Sequence, residues 1–346
     1  MATYTRFSSD DIVITTEKVF TSTWTDNTNA LDPLATWFGG PGNVAADYST
    51  STSSGAFNLI LYNGVATDNT STPQCSIAYG HKKGSGSLLY TTTDTAFSSA
   101  RSIYGQYRSL VYGDENRNFT FNGYEPEDIF VINVNRANYK QSLRLGSLAL
   151  TLNGGSDIEL TDDSVTRSGS AVLTNIGRQY NVVSGSNGVM AGTNLSQAHA
   201  DSGSYGLFYP DAGIIILNPD ALKEGTATAQ LPDRTSDLDD VATNHNILRD
   251  AIVGGNSFIV DTEENISSQF YFVRAKNKEF NYTTNPSFID DKGNVNFTSM
   301  VDNPVTYITT VGLYNDANEL LAVAKLSQPI TKDFTKEALI KVKLDY

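Results

Sequence analysis

The sequence is poor in the residues that bind metals and form cross-links. Its 346 residues include one cysteine, Cys75, and three histidines, His81, His199 and His245. A single cysteine excludes an internal disulfide and a cysteine-based metal cluster, so packing and backbone hydrogen bonds must hold the fold, as suits a reducing cytoplasm. The histidines are far apart and match no zinc-binding pattern. We therefore predict no metal and no cofactor, and we interpret His245 as a core or subunit-contact residue.

Long apolar runs and an excess of basic residues are also missing. No segment approaches the roughly 20 apolar residues that a membrane-spanning helix needs, and residues 1–6 lack the basic-then-apolar order of a signal peptide. Lys and Arg number 24 against 38 Asp and Glu, a formal net charge of -14 that repels a phosphate backbone. The sequence thus predicts a soluble protein that is not exported and whose partners are neither nucleic acid nor membrane.

Patterns typical of catalysis are absent as well. The loop at 80–87 has the wrong glycine and lysine spacing for a phosphate-binding loop, so we interpret it as a solvated β-turn. No Gly-x-Ser-x-Gly stands in a strand-turn-helix setting. We predict no catalytic residue.

Carboxylates cluster in three places, and such pairs can cleave glycosidic bonds when burial separates their pKa values. The clusters are Asp157, Glu159, Asp162 and Asp163; Asp237, Asp239 and Asp240; and Asp290 and Asp291. The first and last lie in polar, turn-rich segments typical of solvated surface, and the middle one suits the positive end of a helix dipole. Weak calcium binding stays an alternative, although the calcium-loop pattern is absent.

What the sequence does contain is typical of β-structure. Ser, Thr and Asn are abundant, and short runs of strand-favouring residues recur between turn signals. The hairpins 205–209/214–217 and 307–314/320–326 are the clearest, and residues 340–346 alternate apolar and polar side chains up to the end of the chain. Further strands are predicted at 57–62, 75–79, 129–134, 148–152, 258–260 and 269–274.

Two segments have helical spacing, at 95–108 and 237–253. The predicted fold is α+β but mainly β, with antiparallel sheets or a sandwich, a few short helices and a polar, loop-rich insertion. We expect an N-terminal arm with strands at 1–56, a β-rich core made of 57–155 and 203–346, and an inserted, protruding segment at 156–202.

Four segments resemble virion structural proteins of T4-like phages (myoviruses) of cyanobacteria. They are residues 128–136, 205–211, 309–316 and 320–329. The order of the C-terminal strands is loosely similar to the T4-type baseplate wedge protein.

The resemblance implies a non-enzymatic virion protein that is assembled in the host cytoplasm and located in the tail baseplate. It would act through contacts with other virion proteins and with further copies of itself. The alternatives are a head, neck or decoration protein, an adhesion protein that binds host glycans, and a glycan-degrading enzyme. No catalytic residue carries over from the resemblance.

Overall fold

The protein is mainly β. The computed structural model describes residues 4–24, 44–48, 56–65, 67, 69–86, 98–155, 157–166, 171–191, 203–223, 231–234, 243–255, 257–283 and 285–345. Strands make up 46% of the chain and helices 15%, and the sheets are antiparallel and curled, which confirms the predicted α+β, mainly β class. No described helix is long and apolar enough to cross a membrane.

Many short strands and a few helices follow one another along the described residues. The strands are β1 (Ile12–Ser22), β2 (Val44–Tyr48), β3 (Ala56–Tyr62), β4 (Pro73–His81), β5 (Asp128–Val134), β6 (Ser142–Leu143), β7 (Ala149–Asn153), β8 (Asp157–Asp162), β9 (Val172–Thr174), β10 (Gly177–Ser186), β11 (Val189–Met190), β12 (Gly206–Tyr209), β13 (Ile214–Leu217), β14 (Ser257–Ile259), β15 (Asp261–Ala275), β16 (Thr306–Tyr314), β17 (Leu320–Lys332) and β18 (Ala338–Asp345). The α-helices are α1 (Ser99–Tyr112), α2 (Pro219–Lys223) and α3 (Thr243–Gly255). Short 3-10 turns lie at Ser9–Asp11, Arg136–Asn138 and Thr298–Met300.

The chain divides into two compact units, and the division falls within β1 and within β15. Unit 1 comprises residues 1–18 and 265–346, and unit 2 comprises residues 19–264. This division differs from the predicted one at 56, 155 and 203. Much of the predicted N-terminal arm, including residues 25–43, lies outside the described residues.

Unit 2 is built on one large antiparallel sheet. Its main path runs β14-β7-β8-β10-β12-β13-β5-β4-β3-β2, and β9 and β11 pair with β10. The central strands have apolar side chains on both faces of the sheet, so successive residues of β5 belong to different hydrophobic cores. Phe130 and Ile132 pack in the core on one face, and Ile129 and Val131 pack in the core on the other. Uninterrupted apolar runs of this kind are typical of strands buried on both faces, and the strands predicted at 129–134 and 214–217 are confirmed.

The expected protrusion at 156–202 is wrong for the part of that range that the structure describes. β8 and β10 are interior strands of the large sheet, each paired on both sides. Leu160 and Val182 are fully buried there. The segment looked like a surface insertion because its polar side chains are numerous, but several of them are buried and hydrogen-bonded.

Helix α1 covers one face of the sheet, where Tyr104, Tyr107 and Val111 join the core. The prediction of 95–108 placed both ends about one turn too early. The helix begins after Ser98, whose hydroxyl accepts a hydrogen bond from the Arg101 amide, and it ends at Gly113, which adopts a left-handed conformation. Residues 95–97 of the predicted helix lie outside the described residues.

Helix α3 confirms the second predicted helix in its described part. Leu248, Ala251 and Ile252 are buried against the large sheet, and the glycines at 254–255 form the end of the helix. Residues 235–242, which include the first turn of the predicted helix, lie outside the described residues.

Unit 1 has two β-layers around a small core. One layer is the three-stranded path β1-β15-β18, and the other is the two-stranded ribbon β16-β17. Ile340 and Val342 of β18 pack with Val311 and Leu313 of β16. The alternation predicted for the last strand is confirmed, because burial alternates along β18 in the expected phase.

Candidate assembly surfaces

The ribbon β16-β17 turns a second apolar face to solvent. Alternate residues fill the core, and the exposed residues of the two strands include the polar Thr309, Thr310 and Lys325. The exposed apolar residues are Tyr307, Tyr314, Leu320, Leu321 and Val323, which we call the ribbon face together with Gly312. Leu321 is 69% exposed, Tyr307 64% and Val323 57%. Apolar side chains concentrated on one sheet face are typical of a surface that another molecule covers.

Gly312 has a packing role in the ribbon face. A methyl group at this position would lie 2.9 Å from the Tyr314 ring and 3.3 Å from Leu320, so both side chains pack close to the glycine. The Tyr4 ring contacts Tyr314 edge-on at 5.0 Å between centroids. The Gly312 end of the ribbon face is therefore apolar and aromatic, which is the composition typical of the centre of an interface.

The outer face of the β15-β18 pair has a different chemistry. Phe270 and Phe272 lie opposite Lys343 and Lys341 in the strand register. The Lys341 ammonium is 3.9 Å from the centroid of Phe270 and 5.9 Å from that of Phe272, within the range of cation-π attraction. We call these four residues, with the neighbouring exposed Arg274, the cation-aromatic face.

Only two of the four residues in the first predicted carboxylate cluster lie on the surface. Asp157 and Glu159 are exposed along β8, as expected. Asp162 and Asp163 are buried, which corrects the prediction. The Asp163 carboxylate accepts hydrogen bonds of 2.9 Å from both the amide and the side chain of Asn181. These donors stabilise the buried carboxylate. They come from a neighbouring strand, so the spacing of residues along the sequence does not reveal them.

Asp162 lies in an internal polar network rather than an open site. Its carboxylate accepts hydrogen bonds from the Gly146 amide, at 2.9 Å, and from the Ser164 hydroxyl. Burial raises the pKa of Asp162, against the opposing effect of these hydrogen bonds. A carboxyl without an open approach for a substrate is better suited to fixing the 144–147 turn than to acid-base chemistry.

The other carboxylate clusters fit simpler interpretations. Asp290 is exposed and accepts hydrogen bonds from the Asn294 side chain and amide, which lower its pKa and close a turn. The Asp237 cluster lies outside the described residues. Among the described residues, no group of three or more His, Cys, Asp or Glu is placed to hold a metal ion.

The turn predicted after β4 is present. The Gly84 amide donates to the carbonyl of His81 at 3.1 Å. The Lys82 and Lys83 ammonium groups pair with Glu125 and Glu127 at 2.7 and 3.0 Å, so carboxylates occupy the place where an anion would bind.

His245 is buried on α3, as interpreted from the sequence, and burial lowers the pKa of His81. His199 lies outside the described residues.

An ion cluster in unit 2 was missed by sequence reasoning. The Arg234 guanidinium binds both carboxylate oxygens of Asp128, at 2.7 and 3.0 Å, and also binds Asp220. Tyr79 donates to Asp128 at 3.0 Å, and Tyr124 donates to Asp220 at 2.8 Å. The five residues come from distant parts of the chain, so no local pattern could have predicted their meeting.

The electrostatics of this cluster indicate a closed structural network. Burial opposes the charge of Arg234, but the hydrogen bonds and charges of Asp128 and Asp220 outweigh burial and raise the pKa of the guanidinium. Burial, followed by the charge of Asp128, raises the pKa of Tyr79 well above its ordinary value. Because each carboxylate already binds the arginine and a tyrosine, the cluster is suited to tying α2 to β4 and β5.

A cleft of about 270 Å³ lies between residues 21–24 and 137–140 of unit 2. Its aromatic residues, Trp24 and Tyr139, are only 4% and 5% exposed, and the Trp24 indole donates to the Phe258 carbonyl at 2.6 Å. Sugars bind proteins by stacking on open aromatic faces, which this cleft does not offer.

Comparison of the chain with protein-family models, with curated proteins and with solved structures found no match.

Proposed function

We propose that the protein is a non-enzymatic structural protein of a phage virion, acting in the tail baseplate as a wedge component. The observation that carries this proposal is the ribbon face, an exposed apolar surface on a unit whose own core is small. The resemblance of residues 128–136, 205–211, 309–316 and 320–329 to T4-like cyanophage virion proteins supplies the biological setting.

The chemistry of the described polar groups supports an assembly role over catalysis. The carboxylates and tyrosines with the clearest pKa shifts, such as Asp162 and Tyr79, bind internal donors and acceptors. A catalytic acid or base needs a reactive group that faces an open site. An interface instead needs exposed aromatic and aliphatic side chains at its centre, which the ribbon face provides.

The partners in this proposal are other virion proteins and further copies of the chain. Nucleic acid is a poor partner, because a net charge of -14 repels phosphate. No membrane contact is part of the proposal, and assembly would take place in the host cytoplasm. A net negative charge also suits the outside of the tail better than a surface that lines a DNA channel.

The test is to find the protein in purified particles by mass spectrometry and to label it with a fused tag in intact particles for electron microscopy. Signal at the baseplate supports the proposal. Signal at the head or neck would support the alternative of a head, neck or decoration protein, and absence from particles would contradict any structural role. Hydrolysis of a host polysaccharide by the purified chain would favour the glycan-degrading alternative.

A further inference from the structure

Positive charge is concentrated in one small region of this acidic molecule. Unit 1 has 11 Lys and Arg against 12 Asp and Glu, a net charge of -1, whereas unit 2 has 13 against 26, a net charge of -13. Within unit 1, Lys341, Lys343 and Arg274 share the cation-aromatic face. Two carboxylates adjoin the face: Asp345 pairs with Lys343 at 3.0 Å, and Asp11 lies close enough to Arg274 to interact with its charge.

The arrangement of these side chains favours a protein partner over a nucleic acid. Single-stranded nucleic acids stack their bases on open aromatic rings. Here the Lys341 ammonium lies over the Phe270 ring at 3.9 Å, so the ring face is already occupied. The exposed ends of Lys341 and Lys343 and the 59% exposed Leu339 instead offer two cations beside an apolar patch, a combination suited to a protein surface that bears carboxylates.

The chain itself carries a matching acidic surface. Asp157 and Glu159 are exposed two residues apart on β8, and Lys341 and Lys343 are exposed two residues apart on β18. Side chains at i and i+2 of a strand point the same way and are separated by roughly 7 Å. The two acidic side chains therefore leave their strand with the same spacing as the two lysine side chains leave theirs.

We propose that the cation-aromatic face of one copy docks on unit 2 of a second copy, with Lys341 and Lys343 opposite Asp157 and Glu159. The two surfaces differ, so the contact is head-to-tail and leads to a ring or an open array. The proposal names a partner within the assembly role argued above and rests on that role for its biological meaning. Its physical test needs only the purified chain.

The experiment is sedimentation velocity of the full chain over a range of concentrations, at low and at high salt. We expect self-association at low salt that weakens as salt rises, because exposed ion pairs are screened. The variant K341E/K343E and the variant D157K/E159K should each weaken association at least about tenfold. The chain that carries all four substitutions should associate like the wild type, because the charges are exchanged across the contact.

The matched control is K278E/K292E. Lys278 and Lys292 are exposed and lie in turns of unit 1 outside β15 and β18, so this variant makes the same change in charge without altering the paired strands. It should associate like the wild type. Slow alkylation of the buried Cys75 checks that unit 2 of each variant is folded.

Three outcomes would overturn the proposal. They are a wild-type chain that stays monomeric at low salt and the highest working concentration, a K341E/K343E variant that associates like the control, and a fourfold variant that stays dissociated. Binding of a fluorescent oligothymidylate that K341E/K343E abolishes would show that the face serves nucleic acid instead. Absence of the protein from particles would contradict the virion role and leave this contact intact.

Discussion

Unit 2 buries its central strands on both faces, whereas unit 1 buries only the inner face of each layer. Phe130, Val131 and Ile132 of unit 2 have no exposed surface, but the four core residues of unit 1 keep 6–8% of theirs. Hydrophobic stabilisation scales with the apolar area removed from water, so the larger share of it lies in unit 2. Unit 1 exposes apolar side chains, such as Leu321 and Val323, on its outer faces.

The two units also differ in charge, at -13 and -1. A high net charge keeps unit 2 repelled from copies of itself, while a nearly neutral unit with apolar faces can approach other proteins closely. In the proposed role, stability and assembly therefore depend on different parts of one chain. Changes confined to one unit test that assignment, and we expect the largest effect from loss of the C-terminal strand.

Deletion of residues 340–346 should unfold unit 1. It removes Ile340 and Val342, half of the small core, and leaves the backbone groups of β15 unpaired. We expect loss of hydrogen-exchange protection in β15 and β16, while Cys75 of unit 2, whose thiol pKa burial raises to about 12, stays unreactive towards alkylation. Leu339→Ala, at an exposed site on the same strand, is the control. Unchanged protection in the truncated chain would show that β18 is not part of the core.

Phe130→Ala should destabilise unit 2 by about 3–5 kcal/mol, because it opens a cavity in a fully buried site next to Tyr79. Denaturant unfolding measures the free energy, and faster alkylation of Cys75 reports where the chain opens. Val323→Ala, on the exposed ribbon face, should change the stability by less than about 0.5 kcal/mol. Similar losses of stability in Phe130→Ala and Val323→Ala would contradict the claim that unit 2 depends on its buried apolar side chains and that the ribbon face contributes little to stability.

Arg234→Ala should cost about 3 kcal/mol of stability, because Asp128 would stay buried without its cation. Lys223→Ala removes an exposed partner of Asp233 and serves as the control, with a much smaller expected loss because exposed ion pairs contribute little. Both values come from denaturant unfolding at neutral pH. An Arg234→Ala variant as stable as the control would show that the cluster does not support unit 2.

The smallest expected effect is a change in the pKa of Asp333 in unit 1. Hydrogen bonds from the Thr335 hydroxyl and amide lower the pKa of Asp333 to about 2. Because the folded-state pKa lies below the ordinary value of 3.8, Asp333 stabilises the fold above pH 3.8, and this contribution is lost as the pH falls through about 2.

Thr335→Val removes the hydroxyl donor and should raise the pKa of Asp333 towards its ordinary value, as measured by carboxyl NMR titration. Ser327→Ala is a control at an exposed site of the same unit. A pKa that Thr335→Val leaves unchanged would show that the hydroxyl is not a donor to Asp333.

Local patterns predicted those parts of the fold that depend on neighbouring residues. The turn at 210–213 and the alternation along β18 follow from side-chain types a few positions apart, and both are present. The position of β8 and β10 was not predictable in this way. Their polar residues looked solvated because the partners, such as Asn181 for Asp163, come from another strand.

The candidate surfaces were less accessible to sequence reasoning than the strands. The sequence marks Tyr307 and Val323 as strand residues, but only the packing of the ribbon shows that they face solvent while Val311 and Leu313 face the core. The bulge near Leu321 shifts the alternation, so counting by twos along β17 assigns the wrong residues to the outer face.

The proposed assembly role depends most on the ribbon face being covered in the assembled particle. Hydroxyl-radical footprinting of the free chain and of purified particles, read by mass spectrometry, measures this directly. We predict that Tyr307, Tyr314 and Leu321 are oxidised in the free chain and protected in the particle, with protection lost when the particle is dissociated. Equal oxidation of these residues in the free and assembled protein would contradict the central claim.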